Sequence, residues 1–247
     1  MTSPEFALLI LAGAAAGLAG GIAGLASVIS YPALLAAGLP PVTANVTNTV
    51  ALVFSSAGSV LGARPELRGQ GPRMRVLGLA GLGGGALGAL LLLLTPAGAF
   101  EKVVPVLIGA ASVGVLVPRP RVPRQLAGAD AGWVVAAVFA VSIYGGYFGA
   151  ASGVLMLALL LNATADSLPV NNAIKNAVLG LANGIAAVGF GLFSDVRWLA
   201  ALPLAVGFFA GGLLSPMLVR RLPAGPLRLL IATFGVAIAI RLALRAY

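Results

Sequence analysis

The densest group of side chains able to do chemistry lies at residues 169–176, Pro169-Val170-Asn171-Asn172-Ala173-Ile174-Lys175-Asn176, inside an otherwise apolar stretch. Asn172, Lys175, Asn176 and Asn183 recur at i, i+3, i+4 and i+11, which sets them along one face of a helix. An ammonium among carboxamides at membrane depth is expensive to bury and by default marks a pathway or a ligand site. Donors of this kind suit an anion. Two ordinary readings stand beside that one. Asn, Ser and Thr commonly hydrogen-bond between packed helices, which suits Asn183 but accounts poorly for Lys175. Lys175 also lies about 6 residues beyond Pro169, roughly 9 Å along a helix at about 1.5 Å per residue, from where its stem can snorkel to the interface.

Composition removes most other chemistry. The chain has no cysteine and no histidine, so disulfides, thiol relays, Ser/His or Cys/His catalysis and an ordinary zinc or haem site are not expected. Ser27 and Ser152 lack a histidine to activate them, and Lys175 is a weak candidate base for either. An enzyme is therefore not expected, nor a metal or cofactor. The six acidic residues avoid the middle of the apolar runs, which leaves a carboxylate proton relay without a carrier. The formal charge of +9 comes from basic residues scattered over loop ends, without aromatic interleaving, so it reads as a topology signal and not as a nucleic-acid surface.

The elements that must position these residues are membrane helices. With 60% hydrophobic and 9% charged residues, the chain is expected to be an all-α polytopic membrane protein, since lipid admits only helices or closed barrels and the runs do not alternate. Hydrophobic segments fall at 5–38, 42–63, 74–94, 100–117, 131–161, 168–193, 198–219 and 226–244. Glu5 and the absence of a basic leader predict that the first segment is retained. Trp133 and Trp198, at segment starts, read as interfacial anchors. The run Pro118-Arg119-Pro120-Arg121-Val122-Pro123-Arg124 cannot continue a helix. It divides the eight segments into a first membrane repeat at 1–117, a basic Pro-rich linker at 118–129 and a second repeat at 130–247.

The two halves match. Gly20-Gly21-Ile22-Ala23-Gly24-Leu25-Ala26-Ser27 aligns with Gly145-Gly146-Tyr147-Phe148-Gly149-Ala150-Ala151-Ser152, then Pro41-Val42 with Pro169-Val170 and Asn48 with Asn176. This predicts an internal duplication. The first and fifth segments are too long for one perpendicular crossing and too short for two. Breaks at Gly20, Gly21 and Gly24, and at Gly145, Gly146 and Gly149, would fold each into a re-entrant hairpin or two half-helices, a geometry tolerated only against protein or a cavity. One long tilted helix, its glycines serving close packing, is the alternative. Half-helix N-termini would add positive dipole ends to an anion site. The first copy carries its own polar stripe at Asn48, Ser55 and Ser59, with Thr47 and Thr49 beside it; interhelical bonding suits Ser59.

These paired Gly-rich segments and the polar helix starts at Pro41 and Pro169 resemble the TauE/SafE family of sulfite and organosulfonate exporters, in layout over nearly the whole chain. The resemblance implies a multi-pass carrier of the bacterial cytoplasmic (inner) membrane that exports small sulfur-containing anions. Carried over by position, the implied substrate-binding residues are Lys175, Asn172, Asn176, Asn48, Thr47, Ser27 and Ser152. The first segment reads Gly24-Leu25-Ala26-Ser27 where family members often have a denser glycine run.

The expected partners are a small anionic substrate and the lipid bilayer, with no nucleic acid; a homodimer is compatible with the layout. Arg64, Arg68, Arg73 and Arg75, and Arg119, Arg121 and Arg124, should face the cytoplasm. Inverted repeats would put Arg220, Arg221 and Arg228 on that side, and Arg241 and Arg245 across from them. Parallel repeats would exchange the two groups and bring Arg197 inside. The same number of basic residues is inside in both cases, so the favoured inverted arrangement rests on the usual plan of alternating-access carriers. An anion channel and a non-transporting membrane scaffold subunit are the other classes.

Overall fold

The computed structural model describes residues 3–100, 102–103, 106 and 132–221. The linker at 118–129, the segment at 226–244 and nearly all of that at 100–117 lie outside them, and with them Arg119, Arg121, Arg124, Arg228, Arg241 and Arg245. The described residues with regular structure are helical: α1 (Ser3–Ala23), α2 (Ala26–Ala36), α3 (Pro41–Gly62), α4 (Arg64–Leu67), α5 (Gly71–Leu94), α6 (Gly132–Tyr147), α7 (Ser152–Ala163), α8 (Leu168–Phe193) and α9 (Trp198–Val219). Among the described residues, four helices have the length and apolar character to cross a membrane: α1 from Glu5, α5, α8 and α9. Their outward faces carry Leu11, Leu79, Leu94, Val188, Phe193 and Leu199, all exposed, whereas Asn48, Asn172 and Lys175 are buried. That inversion of the soluble pattern is what lipid demands. Trp133 and Trp198 are exposed at the starts of α6 and α9.

Local sequence sets the helix ends. Pro41 and Pro169 stand in the first turns of α3 and α8, where a missing N–H costs nothing. The apolar stretch at 5–38 is divided between α1 and α2, and that at 131–161 between α6 and α7. The chain leaves helical geometry at Gly24 (φ 79°) and again at Gly149 (φ 73°) and Ala151 (φ 58°). Gly20, Gly21, Gly145 and Gly146 lie inside α1 and α6, so they are not themselves the points where the helices stop.

Helix α1 packs along α9, and α9 along α3; α6 packs along α5, and α5 along α8; α3 and α8 meet between these groups. Glycines make the seams close. A Cβ at Gly13 or Gly17 would run into α9 backbone, and one at Gly84 or Gly88 into α6 backbone. The packing order also fixes helix direction. Glu66, just past the end of α3, holds Arg220 at the end of α9, with Nε–Oε1 at 2.7 Å and Nη2–Oε2 at 2.9 Å. Arg73, in the first turn of α5, pairs with Asp166, just ahead of α8. One face of the bundle thus gathers the ends of α3 and α9 and the beginnings of α5 and α8. At the opposite face the backbone N–H of Arg197, between α8 and α9, donates to Thr47 Oγ1 at 3.1 Å. Helices α3 and α8 therefore run antiparallel.

Candidate functional site

Where α3 and α8 cross, the two interrupted helices meet as well. Gly24 and Gly153 lie so close that a Cβ on either would overlap the other's backbone. Beside this contact is a cavity of about 50 Å³, lined by Lys175, Asn176, Asn183, Ser27, Ser55 and Ser152 among others. That is room for a few waters or one small oxyanion. Among the described residues, no carboxylate lines it. Ser27 lies in the first turn of α2 and Ser152 opens α7, so two helix N-termini, each with amides that have no intrahelical acceptor and a positive dipole end, border the same space.

Lys175 is fully buried. Its Nζ donates to the carbonyls of Gly20 at 3.0 Å and Gly21 at 3.3 Å, in the last turn of α1. Gly20 O also accepts from Gly24 N at 2.7 Å, and both carbonyls lie at the negative dipole end of α1, which suits a cation. The Gly21 carbonyl also accepts from Asn172 Nδ2 at 2.7 Å and Asn176 Nδ2 at 3.2 Å. The i, i+3, i+4 spacing on α8 thus converges on one backbone oxygen of α1. An ammonium has three N–H groups; two go to carbonyls, and Lys175 still faces the cavity.

The site residues read from the sequence divide into three groups. Lys175, Asn176, Ser27 and Ser152 line the cavity. Asn48 supports it from behind: its Nδ2 donates to Ser27 Oγ at 3.1 Å, and its Oδ1 accepts from Ser30 Oγ at 2.6 Å. Asn172 and Thr47 are not among the lining residues; Asn172 is bound to Gly21 O and Thr47 is turned to the Arg197 amide. Gly20, Gly24 and Gly149 contribute cavity wall, whereas Gly146 instead packs on Gly85 of α5 and Gly145 lies beside Leu179 and Ser152. Ser55 and Asn183, placed on polar stripes by their spacing, reach the cavity, while Ser59 bonds to Gly212 O and faces Ser215, as the interhelical reading has it.

Sequence reasoning missed Asn45, Ser30 and Ser56. Asn45 Nδ2 donates to Tyr147 O at 2.9 Å, across to the last turn of α6. It stands three residues before Asn48 and so on the same face, a signal that was available. Ser56 also lines the cavity. The second break is braced by Tyr144, whose hydroxyl donates to Ala150 O at 2.7 Å.

Among comparisons with known proteins, no curated protein and no solved structure matches the chain. The family model described as "Sulfite exporter TauE/SafE" matches residues 9–242, nearly its whole length. With apolar spanning helices around a buried polar centre and a family match of that extent, this multi-pass membrane protein belongs to the TauE/SafE family of transporters.

Proposed function

We propose that the chain is a secondary transporter that exports small sulfur-containing anions, such as sulfite or organosulfonates, across the bacterial cytoplasmic membrane by alternating access. The observation that carries this reading is Lys175, a fully buried lysine that lines a cavity to which no described residue contributes a carboxylate. An anion entering there would meet the Lys175 side chain, the second N–H of the Asn176 amide, the Ser27 hydroxyl and two helix N-termini; the Ser152 hydroxyl donates to Gly149 O at 2.9 Å and would have to turn to join them.

Repeats of opposite orientation are the second part of the proposal. The antiparallel course of α3 and α8, whose starts are the matched Pro41 and Pro169 stretches, supports it. So does the contact between Arg220 and Glu66, which keeps Arg220 on the side of Arg64, Arg68, Arg73 and Arg75; parallel repeats would separate them. The positive-inside rule makes that side cytoplasmic. Each broken segment then enters and leaves on one side, and rocking of the halves around the Gly24 and Gly153 contact would expose the anion alternately. An accumulated anion would leave down its electrochemical gradient, since the membrane potential favours anion exit.

The test is thermal stability of the purified protein in detergent against sulfite, sulfate, thiosulfate, sulfoacetate, taurine and carboxylate controls. A ligand that binds only the folded state raises the melting temperature with occupancy. A rise with a sulfur oxyanion and not with carboxylates is the expected result; a uniform lack of response from folded protein would remove the anion-site reading.

A further inference from the structure

Each break in the helices brings two opposite half-charges to the cavity. Gly20 and Gly24 line it from the end of α1 and the turn that follows, Ala26 and Ser27 from the start of α2; Gly149 lines it just past the end of α6, Ser152 and Gly153 at the start of α7. A helix end carries about half an elementary charge, negative where the helix stops and positive where one begins, so at each break the two offset one another. What remains is Lys175. It is the only buried basic side chain among the described residues, and no buried carboxylate accompanies it there. Arg73, Arg197 and Arg220, at the helix ends, are each paired with a carboxylate, Asp166, Asp195 and Glu66.

We infer that the cavity selects singly charged oxyanions, hydrogen sulfite or a sulfonate with one charge, and rejects dianions such as sulfate and fully ionised sulfite. The inference rests on the anion-site reading above and names the charge that site takes. Lys175 brings one positive charge at most. The cost of taking an ion out of water rises as the square of its charge, whereas its attraction to a single cation rises only in proportion. A monoanion beside Nζ leaves the buried site neutral; a dianion leaves one negative charge without a partner. Neutral donors could hold a second charge only in number, and here much of the supply is spent. Nζ donates to Gly20 O and Gly21 O, Asn176 Nδ2 donates to Gly21 O, and Ser152 Oγ donates to Gly149 O. In the first turns of α2 and α7 the Val28 and Val154 amides are taken by Leu25 O and Ala151 O.

The experiment titrates the purified full chain in detergent, at matched ionic strength, with methanesulfonate, sulfate and sulfite. Methanesulfonate and sulfate share a tetrahedral shape and nearly the same size, and differ by one charge. Methanesulfonate should bind about a hundredfold or more tightly than sulfate, the ratio that even part of the penalty for an unpaired buried charge produces. Between about pH 6 and about pH 8 hydrogen sulfite gives up its proton while methanesulfonate keeps its single charge. A change in the protein alone therefore shows with methanesulfonate, and sulfite affinity should fall severalfold relative to it. If any of the three binds, methanesulfonate that fails to outbind sulfate, or sulfite that keeps pace with methanesulfonate over that range, overturns the charge selection and leaves an anion site standing. Folded protein that binds none of the three at either pH overturns the anion-site reading, and the charge selection with it.

Discussion

Replacement of Lys175 by Met separates anion binding from folding. Methionine fills a similar volume and removes the charge. The carbonyls it abandons are not orphaned: Gly20 O still accepts from Gly24 N at 2.7 Å, and Gly21 O from Asn172 and Asn176. Burying an ammonium costs several kcal/mol, so exchange of a buried ion for an apolar group of like size is often neutral or stabilising. The melting temperature of the variant without ligand should stay within a few degrees of the parent. Binding should behave otherwise. A unit charge about 4 Å from an anion, at an effective dielectric of about 20, is worth roughly 4 kcal/mol, or about a thousandfold in Kd. Titration calorimetry of sulfite against parent and variant measures this. Unchanged sulfite affinity in Lys175→Met would refute the placement of the anion beside Nζ, and a variant that no longer folds would show that the ammonium is chiefly structural.

Three other outcomes follow from the geometry. Gly24→Ala adds a Cβ at positive φ against the Gly153 backbone; the backbone conformation alone costs about 1–2 kcal/mol, so the variant should melt clearly lower in detergent. Thr47→Val removes a hydroxyl that accepts from Arg197 and does not line the cavity, so sulfite affinity should be unchanged within error, whereas Asn48→Ala, which releases both Ser27 and Ser30, should weaken it. At the surface, the Arg220 guanidinium holds the Glu66 carboxyl below its ordinary value of 4.5. A carboxyl depressed on folding stabilises fully above its unfolded value and loses that contribution as pH falls through the lower folded value. Melting curves between about pH 5 and pH 3 should therefore show a smaller acid-induced loss in Arg220→Ala than in the parent, a difference of about 1 kcal/mol or less for so accessible a pair.

Much of the helix layout is legible because lipid imposes a simple rule on composition. The apolar runs at 168–193 and 198–219 coincide with Leu168–Phe193 and Trp198–Val219. The glycine that turns each chain is less legible, because a helix end depends on one dihedral and its tertiary support. Gly20, Gly21, Gly145 and Gly146 look like breaks by density, yet the positive φ values fall on Gly24 and Gly149. Helix α4 escaped notice because Arg64-Pro65-Glu66-Leu67 is a single polar turn. At the site, helical spacing put Asn172, Lys175 and Asn176 on one face, and all three do converge. Their partner was not readable, since it is a pair of backbone carbonyls from the other half and glycine offers no side chain to mark them. Thr47 shows the converse: its neighbourhood to Asn48 suggested the site, but adjacent residues on a helix point about 100° apart, and that turn carries it to Arg197.

Protein-dependent flux of radiolabelled sulfite in liposomes, parent beside Lys175→Ala and Asn176→Ala, tests the central claim most directly. The account predicts saturable sulfite flux in the parent, a large loss in both variants while they remain folded, and no comparable flux of acetate. Sulfite flux undiminished in Lys175→Ala and Asn176→Ala would contradict it.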